Sequence, residues 1–188
     1  MEKSQLRQKY LARRTSLSED AYQQANQRLA DRLFATYSLT STVHCFLPAE
    51  RQREVDTWPI IRRLWTMPAV RVLVPRCRPS GHELSHHLLT PNTSLANNRW
   101  SIPEPVDSPE HPAASVDWVL VPLLAFDRQG HRVGYGKGFY DRFLTECRPD
   151  TRKLGLSLFP PVEVIDDVNP QDVALDAVVT PDQVWVFR

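Results

Sequence analysis

The sequence predicts an α/β protein, a three-layer arrangement around a mainly parallel sheet of Rossmann-like type, and three observations predict it. Val119-Leu120-Val121-Pro122-Leu123-Leu124-Ala125-Phe126 is an unbroken apolar run, as expected of a strand covered on both faces. Shorter apolar runs at 43–47, 70–74, 153–159, 177–179 and 184–187 alternate with segments of helical period. The polar and glycine-rich loops follow the ends of such runs, where open α/β sheets keep their sites. A chain of 188 residues suits one domain, 1–188, with a full core.

Residues 3–15 read as a polar helix, with Lys3, Arg7 and Arg14 near one face and Leu6, Tyr10 and Arg13 on another. Charge patterning favours a solvated face, and the alternative is a basic stripe that closes over a polyphosphate. Ser18 caps the next helix, with Glu19 and Asp20 in its first turn and Leu17 and Tyr22 spaced as a hydrophobic staple. Tyr22, Ala25, Leu29 and Leu33 form its apolar stripe. The strand 43–47 ends at Pro48, and the charged loop 48–56 carries Glu54, which local sequence makes a solvated acid.

A helix over 57–66 is followed by the strand 70–74, which stops at Pro75, with Arg76 beyond it as a candidate anion contact. His86 alternates with Leu84 and Leu88 and shares their face. His82, His86 and His87 have no ligand set or spacing for zinc. The region 91–115 is rich in Pro, Asn and Ser, and Trp100-Ser101-Ile102-Pro103-Glu104-Pro105 is expected as an ordered loop packed on protein or against a flat ligand. Gly155, inside the strand 153–159, suits a close approach by ligand or backbone.

Charged residues are 24% of the chain and the formal net charge is +1, so no general basic field points to nucleic acid or an anionic membrane. Cys45, Cys77 and Cys147 are far apart and form no CxxC pair, as expected of reduced thiols in a cytoplasmic protein. The first residues are too polar for a signal peptide, and no apolar run reaches membrane-spanning length.

Past the central strand the chain turns polar at Asp127, glycine occupies 134, 136 and 138, and a helix begins near Gly138. Strand, glycine loop and helix start together hold phosphate: glycines admit close approach, the helix start offers free N–H groups, and Lys137 adds charge. Neither the Walker spacing nor the dinucleotide fingerprint is met, and the bland alternative is a tight turn. Asp141, one turn into the helix, suits a divalent cation lying between it and phosphates, or a favourable helix-start acid, or both.

The run Val121–Asp127, Gly130 and Arg132-Val133-Gly134-Tyr135-Gly136-Lys137-Gly138-Phe139-Tyr140-Asp141 resembles the motif of the 5-formyltetrahydrofolate cyclo-ligase family, also called methenyltetrahydrofolate synthetase. Lys3 with Leu6-Arg7, Glu54-Val55-Asp56-Thr57, Ile102–Pro105, and Asp172–Asp176 with Val179-Thr180 resemble further family segments in the expected order. Gln171 departs from the family, whose members often carry His before the aspartate. The resemblance implies ATP-dependent conversion of 5-formyltetrahydrofolate to 5,10-methenyltetrahydrofolate, with ATP and Mg²⁺ required. It implies Lys137, Arg132 and Asp141 as catalytic residues. ATP falls to Lys3, Arg7, Arg132, Gly134, Tyr135, Gly136, Lys137, Gly138, Phe139 and Tyr140, and the reduced folate to Leu47, Glu54, Trp100, Tyr135, Lys137 and Tyr140. Asp141, Asp172 and Asp176 are the implied metal set. The expected state is a monomer or weak homodimer, without nucleic-acid or membrane partners. An ATP-dependent kinase or ligase for another small metabolite is the alternative, and a regulatory binding protein without turnover is a second.

Overall fold

The computed structural model describes residues 1–188. Its apolar runs pair into one eight-stranded sheet, built from β1 (Thr42–His44), β2 (Arg71–Cys77), β3 (Leu84–Leu88), β6 (Glu110–His111), β7 (Trp118–Pro122), β10 (Arg152–Leu156), β11 (Ala177–Val179) and β12 (Val184–Val186). The order is β12-β11-β10-β7-β1-β2-β3-β6. The five central strands, β11 to β2, are mutually parallel, and antiparallel strands close both edges. Two small ribbons stand off the sheet: β4 (Leu95–Asn97) with β5 (Pro103–Pro105), and β8 (Ala125–Phe126) with β9 (Arg132–Val133).

Four helices cover it: α1 (Lys3–Thr15), α2 (Glu19–Thr36), α3 (Trp58–Trp65) and α4 (Phe139–Glu146). Strand alternation divides the core as the pleat requires. Val43, Val72, Val74, Leu120, Leu154 and Leu156 meet Leu29 and Leu33 of α2 and Ile61 and Leu64 of α3. Leu73, Val119, Val121 and Val178 meet Phe143 and Leu144 of α4 on the opposite face. Leu6 and Tyr10 dock α1 on Ala125, Val133 and Phe159, away from either layer. Ser18 caps α2 by accepting from the Ala21 N–H at 3.2 Å.

Three boundaries differ from the sequence reading. β2 runs through Pro75. Leu73 O faces β1, taking the Cys45 N–H at 2.8 Å, whereas Val72 O faces β3, taking the Leu89 N–H at 2.8 Å. Pro75 therefore turns its missing donor towards the β1 side, where that strand has already ended, and no ladder bond is lost. β1 stops at His44, and after a last bond from the Cys45 N–H residues 46–48 leave the ladder while staying buried. β10 stops at Leu156 because the Ser157 hydroxyl bonds both the N–H (3.2 Å) and C=O (2.9 Å) of Phe159, a local competitor of the sheet. Gly155 admits neither ligand nor backbone: a Cβ there would lie 2.7–2.8 Å from the side chains of Leu123, Leu175 and Val178.

His86 does share the inward face of β3, and its Nδ1 lies 3.1 Å from His44 Nε2, both rings packed on Phe143. Burial pushes His44 well below its ordinary value, with His86 adding to the effect, and burial brings His86 down to about 4. A histidine lowered on folding contributes stability above its unfolded value of about 6.5, lost as pH falls through the folded value. Denaturant melts are therefore expected to show falling stability from about pH 6.5 down to about 4. In His86→Leu that slope should be shallower; an unchanged slope would place the acid sensitivity elsewhere.

Candidate active site

The carboxyl ends of the central strands open onto a cavity of about 400 Å³, the size of a small-molecule site. One wall is the loop from β9 to α4. Gly136 and Gly138 there have φ of +83° and +70°, a conformation that other side chains rarely adopt. At Gly136 a Cβ would also lie 3.2 Å from the Arg7 guanidinium. Gly138 is the N-cap of α4, so the free N–H groups of the helix's first turn lie beside Lys137, and all line the cavity.

α1 supplies the next wall, and its basic face is embedded rather than solvated. Lys3 pairs with Asp172, and Arg7 Nε donates to Gly134 O at 2.9 Å. Arg14, 3% exposed, donates from Nε to Gln52 O at 2.7 Å and from Nη2 to Tyr135 Oη at 2.6 Å. The carbonyls and carboxylate that receive these cations come from distant loops, which charge patterning along α1 does not register.

Arg132, 7% exposed, donates to Val173 O through Nη1 and to Asp141 Oδ1 through Nη2 at 2.6 Å. Asp141 Oδ1 also accepts the Val173 N–H at 3.2 Å, so Oδ2 stays free of protein donors. Asp172 is partly buried, which raises its carboxyl, but the Lys3 ammonium and the Asn169 N–H outweigh that and hold it below the usual range.

Glu54 is the main departure in the other half of the cavity, 4% exposed instead of solvated. Its Oε1 accepts from Tyr135 Oη at 2.8 Å and its Oε2 from the Ala49 N–H at 2.9 Å, while Tyr22 Oη donates to its backbone carbonyl. Burial raises its carboxyl above the ordinary value, and Arg14, the Ala49 N–H and the Tyr135 hydroxyl pull it partly back. Leu47, Phe139 and Tyr140 line the cavity with it, and the Tyr140 hydroxyl is buried without a partner. Trp100, 41% exposed, hangs over the opening from the β4–β5 ribbon, its ring centroid 6.4 Å from that of Phe139. The ribbon is tied down by Glu104, which accepts from the Cys77 N–H at 2.9 Å and Asn98 Nδ2 at 2.8 Å.

Lys3, Arg7, Leu47, Glu54, Trp100, Arg132, the 134–138 loop, Phe139, Tyr140, Asp141 and Asp172 thus converge on one cavity. Asp176 does not. It precedes β11, at the amino ends of the parallel strands and so across the sheet from the cavity, where it accepts the Lys153 N–H at 2.7 Å. Arg76 is exposed and likewise outside the lining. Gln52, Cys77 and Asn98 line the cavity without having been singled out in the sequence, since nothing local marks residues brought in by a loop or a ribbon.

Asp141 and Asp172 are the carboxylates beside the glycine loop, and no group of three or more His, Cys, Asp or Glu side chains is placed to hold a metal ion by itself. That set fits Mg²⁺ held by one or two carboxylates with phosphate oxygens completing the shell.

The model of the 5-formyltetrahydrofolate cyclo-ligase family matches residues 1–181. The chain is 35% identical over 180 residues to the 5-formyltetrahydrofolate cyclo-ligase of Escherichia coli K12, covering 92% of this chain and 97% of that one. It superposes on the 5,10-methenyltetrahydrofolate synthetase of Aquifex aeolicus with a TM-score of 0.84 and 29% identity, covering 100% of this chain and 94% of that structure. The synthetase of Mycoplasma pneumoniae shares the fold, with a TM-score of 0.78 at 22% identity over 96% of this chain and 99% of that one. With its glycine loop, basic helix and buried glutamate on one cavity, the chain belongs to the 5-formyltetrahydrofolate cyclo-ligase family.

Proposed function

We propose that this protein joins ATP hydrolysis to ring closure, converting 5-formyltetrahydrofolate to 5,10-methenyltetrahydrofolate with release of ADP and phosphate. The observation that carries it is the two-ended cavity, cationic at the glycine loop and carboxylate-bearing at Glu54. The formamide oxygen is a poor leaving group. Transfer of the γ-phosphoryl group to it makes it a phosphate ester. N10 then attacks the formyl carbon, loses its proton, and the C–O bond breaks as inorganic phosphate departs with the former formyl oxygen.

Phosphoryl transfer asks mainly for alignment and charge neutralisation. The loop amides, Lys137 and the start of α4 receive the phosphates, with Arg7 and Lys3 closing from α1. Arg132, held by Asp141 and Val173 O, adds a fixed positive charge at the same end. Glu54 accepts N–H groups of the pterin, between walls made by Leu47, Tyr140, Phe139 and Trp100. The unpartnered Tyr140 hydroxyl is free to bond the substrate. Asp141 and Asp172 would hold Mg²⁺, which would supply neutralisation of the phosphate charge.

Purified protein given Mg·ATP and 5-formyltetrahydrofolate should produce methenyltetrahydrofolate, followed by absorbance, and should release ADP only when the formyl compound is present. ADP release without it, or formation of a different product, would favour a kinase or ligase for another metabolite.

A further inference from the structure

Of the five cations of α1, Lys3, Arg7 and Arg14 serve the two ends of the cavity. Lys3 and Arg7 stand at the phosphate end, Arg7 with its guanidinium against the glycine loop. Arg14 lies two turns further on, is almost fully buried, and is absent from the cavity lining. It does not line the cavity, yet its side-chain hydrogen bonds all go to parts that build the pterin end, namely Gln52 O and Tyr135 Oη. On the folate reading above, we propose that Arg14 and Tyr135 are positioning residues for Glu54, through which α1 sets the folate end of the cavity as well as the phosphate end.

The direction of the hydrogen bonds makes the case. A guanidinium only donates, so Tyr135 Oη must accept from Arg14, and its single proton is then directed to Glu54 Oε1 at 2.8 Å. The Ala49 N–H fixes the second oxygen at 2.9 Å, and that loop is itself held by Arg14 Nε on Gln52 O. Two fixed donors set the plane of the carboxylate, leaving further lone pairs for a ligand that presents N–H groups. A ligand presenting an acceptor there is repelled. The titratable groups facing Glu54 are Arg14 of α1, Tyr22 of α2, Tyr135 of the glycine loop and Tyr140 of α4, and Arg14 is the cation among them. Arg14 therefore also opposes the effect of burial, favouring the ionised, accepting form of Glu54.

The test uses Arg14→Met, Arg14→Lys and Tyr135→Phe in the full chain. Arg14→Met and Tyr135→Phe should each raise KM for 5-formyltetrahydrofolate by about tenfold, the loss of one hydrogen bond to a charged group. In Arg14→Met KM for ATP should stay within about twofold, since Arg14 does not line the cavity and the change removes no phosphate contact made by Arg7 or Lys3. In Arg14→Met the acid limb of kcat/KM for the folate should move to higher pH, and Arg14→Lys, which keeps the charge but loses the planar fork, should restore the limb while leaving KM high. Equal rises in both KM values with an unmoved acid limb would overturn the proposal and leave Arg14 a purely structural residue. If Arg14→Met does not fold, Arg14→Lys, which keeps a cation in the buried site, decides the KM split. Carbon-13 NMR of the Glu54 carboxyl separates the two layers of argument. A titration raised in Arg14→Met and returned towards wild type in Arg14→Lys supports the relay even if wild-type protein turned over no folate, and an unshifted titration in Arg14→Met rejects it even if the protein is fully active.

Discussion

Lys137→Ala is expected to lower kcat by about 10²–10³-fold, close to 3–4 kcal/mol of transition-state stabilisation, with almost no change in melting temperature. The two halves of that expectation come from one feature. Lys137 stands exposed on the glycine loop, and it is its carbonyl that the protein uses, as acceptor for Arg142 Nη1 at 3.1 Å. The ammonium is not spent on holding the fold, so its removal leaves the loop conformation, set by Gly136 and Gly138, in place. What goes is a charge next to the free amides of α4, where the transferring phosphoryl group gathers negative charge. Lys137→Arg keeps the charge on a longer, planar head and should fall between wild type and alanine. Steady-state kinetics beside a thermal melt checks both halves. An unaltered kcat would remove the lysine from the site, and a large drop in melting temperature would mean that it serves the fold instead.

How much of this was legible in the sequence depended on the range of the forces involved. The central strands were readable because parallel strands buried on both faces leave unbroken apolar runs, as Val119–Val121 does. The start of α4 was readable because a left-handed N-cap such as Gly138 leaves a local mark, and so was the Ser18 cap of α2. Pro75 misled because the cost of a proline in a strand depends on which neighbour its nitrogen faces, which only the sheet order reveals. Asp176 misled for a related reason. It is four residues from Asp172, but residues 173–175 carry the chain from the cavity to the opposite end of the sheet before β11 begins, and Asp176 ends on Lys153 there. Glu54 and Arg14 were the hardest to place, since their burial rests on contacts 81 and 121 residues away with Tyr135, and no local pattern encodes a pairing of that separation.

Glu54→Gln should weaken folate binding and stabilise the free protein at the same time. In binding, the amide keeps the shape but presents an NH2 where the carboxylate offered lone pairs, so a donor faces the N–H groups of the pterin. Loss of hydrogen bonding to a charged acceptor is worth about 1.5–3 kcal/mol, or roughly 10–100-fold in KM for the folate. In stability, burial holds the Glu54 carboxyl above its unfolded value despite Arg14, Ala49 and Tyr135. An acid raised on folding contributes stability that is full below its unfolded value of about 4.3 and is lost as pH rises through the folded value. Glutamine does not titrate. The variant should therefore melt above wild type at neutral and alkaline pH, with the gap closing as pH falls towards about 4.3. Opposite movement of the two readouts is what a group kept for binding against the preference of the fold must show. A variant that binds folate normally, or that melts below wild type throughout the neutral range, would mean that Glu54 is retained to build the loop and not to hold the substrate.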